Sequence, residues 1–284
     1  MKNHFLLFGL FLCLCGNAQT DTINKYVPRA EKSWYLGLTA GYGHAAGKQM
    51  LNITAQTHLW YSPNEYRFGS LAQGFQAGIK GGYQFKNRLA VECGLYLFRS
   101  NVVNYKYEWT RDFFMIEGDA ESEQRLIMPR LFVGMAVPIY ETQKWNWLLS
   151  GGITLARPVV RENVDMYYYT SPTQIGEQTV ELYGNLSAGF YLSLQSNYNL
   201  GKHWFVQAEL LAIGQSWAPA KRSLTRYELN GTNQLPGLDT WQKEIVYTQE
   251  VPASQSNPDE PFQMESVRFM MNTVGLQLGV YRRF

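Results

Sequence analysis

The chain has little cysteine, almost no net charge and, beyond its first residues, no long apolar run. Of its three cysteines, Cys13 and Cys15 lie in the opening segment and only Cys93 follows, so the remainder cannot close an intramolecular disulfide. A lone thiol of this kind reads as a small apolar filler rather than a nucleophile. Charge is balanced: 25 Lys+Arg, or 24 once Lys2 is set aside, face 23 Asp+Glu. A general nucleic-acid binder needs a basic excess or stripe, so that class is excluded. A helix needs about eighteen consecutive apolar residues to span a bilayer, and no such run follows the opening segment. Histidine is scarce as well. His44, His58 and His203 are scattered, without HExxH spacing or a Cys/His cluster, so neither a metal nor a cofactor is expected.

What is present begins with a leader. Lys2 precedes an apolar run over residues 5–15, and Gly16 and Ala18 are small where a signal peptidase reads. The expectation is a secretory signal peptide over 1–18, with Gln19 as the first mature residue. Anchoring through Cys15 as a lipoprotein would need a small residue where Leu14 stands. Residues 19–32 are polar and read as a periplasmic segment before the first strand. Residues 33–284 show no composition shift or Pro/Ser-rich linker and read as one domain.

That domain alternates. Eight runs carry apolar residues at every second position, the period of a strand with one apolar face. Trp34, Leu36, Leu38, Ala40 and Tyr42 oppose Tyr35, Gly37, Thr39, Gly41 and Gly43. Phe75, Ala77 and Ile79 oppose Gln76, Gly78 and Lys80, and Val91, Cys93, Leu95 and Leu97 oppose Ala90, Glu92, Gly94 and Tyr96. Four further runs centre on Val133, Ile153, Phe190 and Ala208, and the last sets Val274, Leu276, Leu278 and Val280 against small or polar residues.

The connections decide the architecture. Residues 86–88, 141–144 and 201–203 are short turns, whereas roughly 45–70, 105–124, 161–180 and 219–265 are long. Short turns at one end and long loops at the other are the plan of a transmembrane antiparallel β-barrel of about eight strands. The second faces are small and sparsely charged, which suits a narrow barrel interior better than a solvated sheet. Aromatics near strand ends (Trp34, Tyr42, Phe85, Tyr140, Trp145, Trp204, Trp217, Tyr281) read as interface belts. Pro129 and Pro138 cannot donate to a ladder, so they are expected near the rims or at bulges.

With alternating strands, an Asn-Ala-Gln cleavage region and a closing strand ending on Phe284, the chain resembles the outer-membrane β-barrel proteins of Bacteroidetes. The run Ile127-Met128-Pro129-Arg130-Leu131 is similar to an apolar-Pro-apolar pattern of the PorT-like members. Asp21-Thr22-Ile23 is similar to the short O-glycosylation motif of that phylum. The resemblance implies an outer-membrane location in a Gram-negative bacterium and a role in secretion across that membrane. It also implies that Phe284, Val280, Leu278 and Leu276 form the signal read by the barrel-assembly machinery. The last strand ends the chain, so no peptidoglycan-binding domain is expected after it.

Strand parity turns Lys80, Glu92, Arg130 and Glu209 inward, with Arg130 higher than the other three. They read as an interior salt-bridge network rather than a charged constriction, because side chains just fill an eight-stranded barrel. The acidic stretch 117–123 lacks the ligand spacing of a calcium loop and reads as solvated charge. Trp60, Tyr61, Trp109, Tyr167, Tyr168, Tyr169 and Trp241 fall in the long connections. They form either a platform for a glycan or another envelope protein, or the packing of strands extended beyond the membrane. Residues 254–262 read as a mobile tip. The expected function is a non-enzymatic interaction or scaffold subunit of a secretion or uptake assembly, in contact with outer-membrane lipid and without nucleic acid. The competing readings are a lipid-modifying enzyme using His44, which needs an acid and a nucleophile brought beside it, and a small solute channel.

Overall fold

Each of the eight alternating runs becomes a strand, and together they close on themselves. A computed structural model describes residues 32–50, 61–63, 68–111, 116–169, 175–251 and 257–284. The leader, Asp21-Thr22-Ile23, His58, Trp60 and residues 254–256 lie outside those residues. The strands used below are β1 (Ser33–Ala45), β2 (Gly74–Gln84), β3 (Ala90–Ser100), β4 (Val103–Arg111), β5 (Ile116–Glu141), β6 (Trp145–Ala156) and β7 (Val159–Tyr168). They continue with β8 (Ile175–Gly184), β9 (Ser187–Asn199), β10 (Trp204–Trp217), β11 (Pro219–Leu229), β12 (Glu244–Thr248), β13 (Phe262–Glu265) and β14 (Thr273–Arg283).

The barrel runs β1-β2-β3-β5-β6-β9-β10-β14, with antiparallel pairing at every step. It closes where β1 pairs with β14, from Tyr35↔Arg283 to Ala45↔Thr273. Closure leaves these strands no free edge, which hydrocarbon requires. The chain's last amide is part of the seam: Phe284 donates its backbone N–H to the Trp34 carbonyl at 2.8 Å. The three short turns are tight, as where the Thr142 N–H reaches the Trp145 carbonyl at 2.7 Å.

Parity divides the strands as the alternation requires. Leu38 (68% exposed), Leu278 (62%) and Leu95 (63%) face outward, whereas Lys80, Glu92 and Glu209 are buried in the lumen. Along β1 the outward apolar stretch from Trp34 to Tyr42 measures about 27 Å at ~3.4 Å per residue. Strand tilt brings that close to the ~25 Å apolar band of a membrane barrel. Aromatics collect at the turn end of the band, where Trp34 meets Tyr83 at 4.7 Å and Trp145 meets Tyr198 at 4.8 Å between ring centres. Two residues expected in the belts are not there. Tyr281 is fully buried in the lumen, because its parity is inward, and Trp217 is buried in the apolar core above the barrel.

Both prolines lie where the ladder is interrupted. On one side of β5, residues 130–141 pair with β6 while residues 118–127 pair with β7, so Pro129 falls in the gap between two neighbours. The N and C=O of a residue in an extended strand point to the same side. The Pro129 carbonyl accepts the Arg157 N–H at 3.2 Å across that gap, so its missing donor faces the same break. Pro138 begins a register shift against β6, completed at Tyr140.

The long connections hold more structure than the alternation revealed. β5 has 26 residues, roughly 85 Å of strand, far more than a bilayer needs. Its outer end, with β4, β7, β8, β11, β12 and β13, forms a second β-layer above the barrel. The acidic stretch is the outer face of this strand, with Asp119, Glu121 and Glu123 exposed and Ala120 and Ser122 buried between them. The change of solvent is written along β5: Glu121, Glu123 and Arg125 point outward above, and Ile127, Leu131 and Val133 below. The raised layer has a core, including Tyr105, Val160, Met166, Tyr168, Leu182 and Trp217, that continues down onto Phe98, Met128 and Ala156 at the top of the barrel.

Candidate functional site

Two places concentrate polar chemistry: the lumen at the level of Lys80, and the outer face of the raised layer. In the lumen, Lys80 projects from β2 between Glu92 of β3 and Glu209 of β10, its ammonium 3.2 and 3.3 Å from their carboxylates. Glu92 also accepts from Tyr35 at 2.6 Å, Ser150 at 2.9 Å and Gln195 at 2.8 Å. Gln207 donates to both Gln195 and Asn197 at 2.9 Å. These contacts join β1, β2, β3, β6, β9 and β10. Charge removed from water is costly unless it is paired and hydrogen-bonded, and Glu92 has a donor on every side.

Arg130 is not part of this network. It is buried (1% exposed) at a higher level, with one nitrogen 3.4 Å from Gln76 Oε1 and its guanidinium 4.6 Å from the centre of the Phe98 ring. Parity turned it inward as expected, but tyrosine and phenylalanine rings separate it from the carboxylates.

Those rings are what the alternation alone did not pick out. Below the charged layer, Phe205 stacks on Tyr281 at 5.0 Å and Tyr35 meets Phe205 at 5.8 Å. Above it, Phe132 touches Tyr96 at 4.8 Å and Tyr191 at 5.1 Å, backed by Leu211 and Ile213. The inward glycines make room for these rings. A Cβ on Gly94 would stand 2.5 Å from the Tyr96 ring, and one on Gly82 the same distance from the Tyr35 hydroxyl. The signal was present in the sequence as inward glycines alternating with inward tyrosines. A cavity of about 10 Å³ remains between the charged layer and the upper rings, room for at most one water. Rings and carboxylates thus fill the lumen across the charged level.

The raised layer is polar outside and partly polar within. Tyr105 and Ser122 donate to the buried Glu162 carboxylate at 2.5 and 2.6 Å. Burial first, and then the Glu162 charge, pushes the Tyr105 phenol well above its ordinary range. On the outer face Asp165 stands in register between Glu121 and Glu177. Burial, then the Glu177, Glu121 and Glu123 charges, raise its carboxyl above the usual range.

The aromatic residues expected to form a platform divide. Tyr167 and Tyr169 are exposed, and Tyr169 donates to Asp119 at 2.6 Å. Tyr168 alternates to the inside and belongs to the core, not to a binding surface. Trp241 is half-buried in a short helix over Thr240–Lys243, donating to Asp239 at 3.2 Å. Tyr61 and Trp109 are described by their backbone, which pairs Tyr61–Pro63 with β4. Val280, Leu278, Leu276 and Phe284 all face outward from the final strand. His44 is exposed, its ring edge-on to Tyr42 at 5.0 Å, and among the described residues no carboxylate is paired with it. No group of three or more metal-ligating side chains is arranged around a common point among the described residues.

No family model matches the chain, and no curated protein matches it. Among solved structures it is similar to Ail, the attachment invasion locus protein of Yersinia pestis (8% identity over 90% of this chain and 100% of that one, TM-score 0.31). It is also similar to the outer membrane protein OprG from Pseudomonas aeruginosa (10% identity over 90% and 97%, TM-score 0.39). Likenesses this distant carry no argument about activity. The assignment as a transmembrane β-barrel rests on the strand order, the closure and the lipid-facing apolar band.

Proposed function

We propose that this chain is a non-enzymatic outer-membrane protein that works through the β-layer raised above its barrel, as an interaction or scaffold subunit of an envelope assembly. One observation carries the reading: the lumen is filled by a charged layer held between two layers of rings, while a β-structure with a core distinct from those rings stands above the barrel. A filled lumen argues against a solute channel. His44 is exposed and, among the described residues, has no carboxylate paired with it, which gives no support to a lipid-modifying enzyme, since that needs base, acid and nucleophile together.

In this reading the leader directs export and the outward aliphatic row ending on Phe284 is read by the barrel-assembly machinery. The finer assignment, a PorT-like subunit of a secretion assembly, follows the resemblance of the Ile127–Leu131 run. Purification from outer membranes in mild detergent tests the proposal. A complex well above the mass of one barrel is expected, and charge reversal at Glu121, Asp165 and Glu177 should release its companions. A monomer without companions, in wild type and variant alike, would overturn it.

A further inference from the structure

We infer that one flank of the barrel, where β3, β5 and β7 meet the top of the apolar band, is a docking surface for a lipid whose headgroup carries a phosphate monoester. Four exposed arginines gather there. Arg99 of β3 and Val159 of β7 both stand in register with Ile127 of β5. Arg125 is the next outward residue above Ile127, and Arg161 stands directly opposite Arg125. Arg157 lies in the link between β6 and β7, two positions before Val159.

Like charges directly across a strand pair repel, so folding gains nothing from Arg125 facing Arg161. Nearby carboxylates offset them only in part. Arg125 reaches Glu123 only at 3.8 Å, and among the described residues Arg99, Arg157 and Arg161 are in no ion pair, although Glu181 stands opposite Arg161 in register. Glu123 and Glu181 lie beside the upper pair, so four arginines face two acids here, and the acids outnumber the bases only higher, around Glu121, Asp165 and Glu177. A positive surplus therefore remains at headgroup depth, directly above Leu97 and Ile127.

Across the barrel, His44, Val274 and Ala212 stand side by side in register with no arginine or lysine among them. Guanidinium groups match phosphate oxygens bidentately. A lipid satisfies both levels at once, with phosphate on the arginines and acyl chains on the aliphatic surface below. A free phosphate would use only the upper one.

The test uses the full protein folded in detergent micelles, with bound lipids counted by native mass spectrometry. The probes are phosphatidic acid and phosphatidylcholine of the same acyl chains. Wild type should retain phosphatidic acid preferentially. Combined Arg99→Gln, Arg125→Gln, Arg157→Gln and Arg161→Gln should weaken retention about tenfold or more, as expected when several cations near a lipid surface are lost. Lys48→Gln with Lys202→Gln, away from the patch, should leave it unchanged. Folding is verified by the migration of unheated samples in gels, and Arg161→Gln alone should give a partial loss if the fourfold variant does not fold. Equal retention by the arginine variants, equal binding of both lipids, or displacement of the lipid by equimolar inorganic phosphate would overturn the inference.

Discussion

Lys80 has the most to answer for among the single residues, because two buried carboxylates depend on it. Removing one partner of a buried ion pair leaves uncompensated charge and costs about 3–5 kcal/mol. Lys80→Met should lower the stability of the refolded barrel by that order in urea unfolding. Adding Glu92→Gln and Glu209→Gln should recover most of the loss, since no charge then remains to be paired. Failure of the triple variant to recover would mean that Lys80 acts by its shape. Asp165 gives a pH signature of opposite sign to the usual carboxylate. Its folded-state pKa is raised, so the ionised form opposes folding and stability falls as pH rises past the ordinary aspartate range. Asp165→Asn should therefore raise the melting temperature at neutral pH and have little effect well below that range.

Strands explain which parts could be read from the sequence. All eight barrel strands were legible because lipid demands an unbroken apolar row on one face, and small residues on the other leave the pattern clean. The raised layer obeys the same period but faces water. In β7 the inward row is Val160, Glu162, Val164, Met166 and Tyr168, and the outward row is charged. A buried glutamate in the apolar row, and charges between, made it look like a loop. For that reason Tyr168 does not stand out from its exposed neighbours as a core residue, and parity, which gives direction but not height, does not reveal the rings flanking Lys80. Pro129 shows how an apparent conflict dissolves once neighbours are known. Pro129→Ala should change stability by less than about 1 kcal/mol, since no ladder bond is gained at the gap. Val133→Pro, paired on both sides with Cys93 and Ile153, should prevent assembly. The fraction of heat-modifiable folded barrel in membranes distinguishes the two. Equal folding by both variants would contradict the assigned register.

At the scale of the molecule, the proposed function has the barrel anchor and the raised layer act. A membrane protein that passed solutes would need a continuous polar path, and rings close this one on both sides of the Lys80 layer. A chain that only anchored would have no use for a second β-layer built on a 26-residue strand. The most direct test is single-channel recording with verified folded protein in planar bilayers. The account predicts a silent membrane for wild type, with discrete conductance steps appearing only when Tyr96, Phe132 and Tyr191 are together replaced by alanine. Discrete steps from the wild-type protein would contradict it and return the function to the lumen.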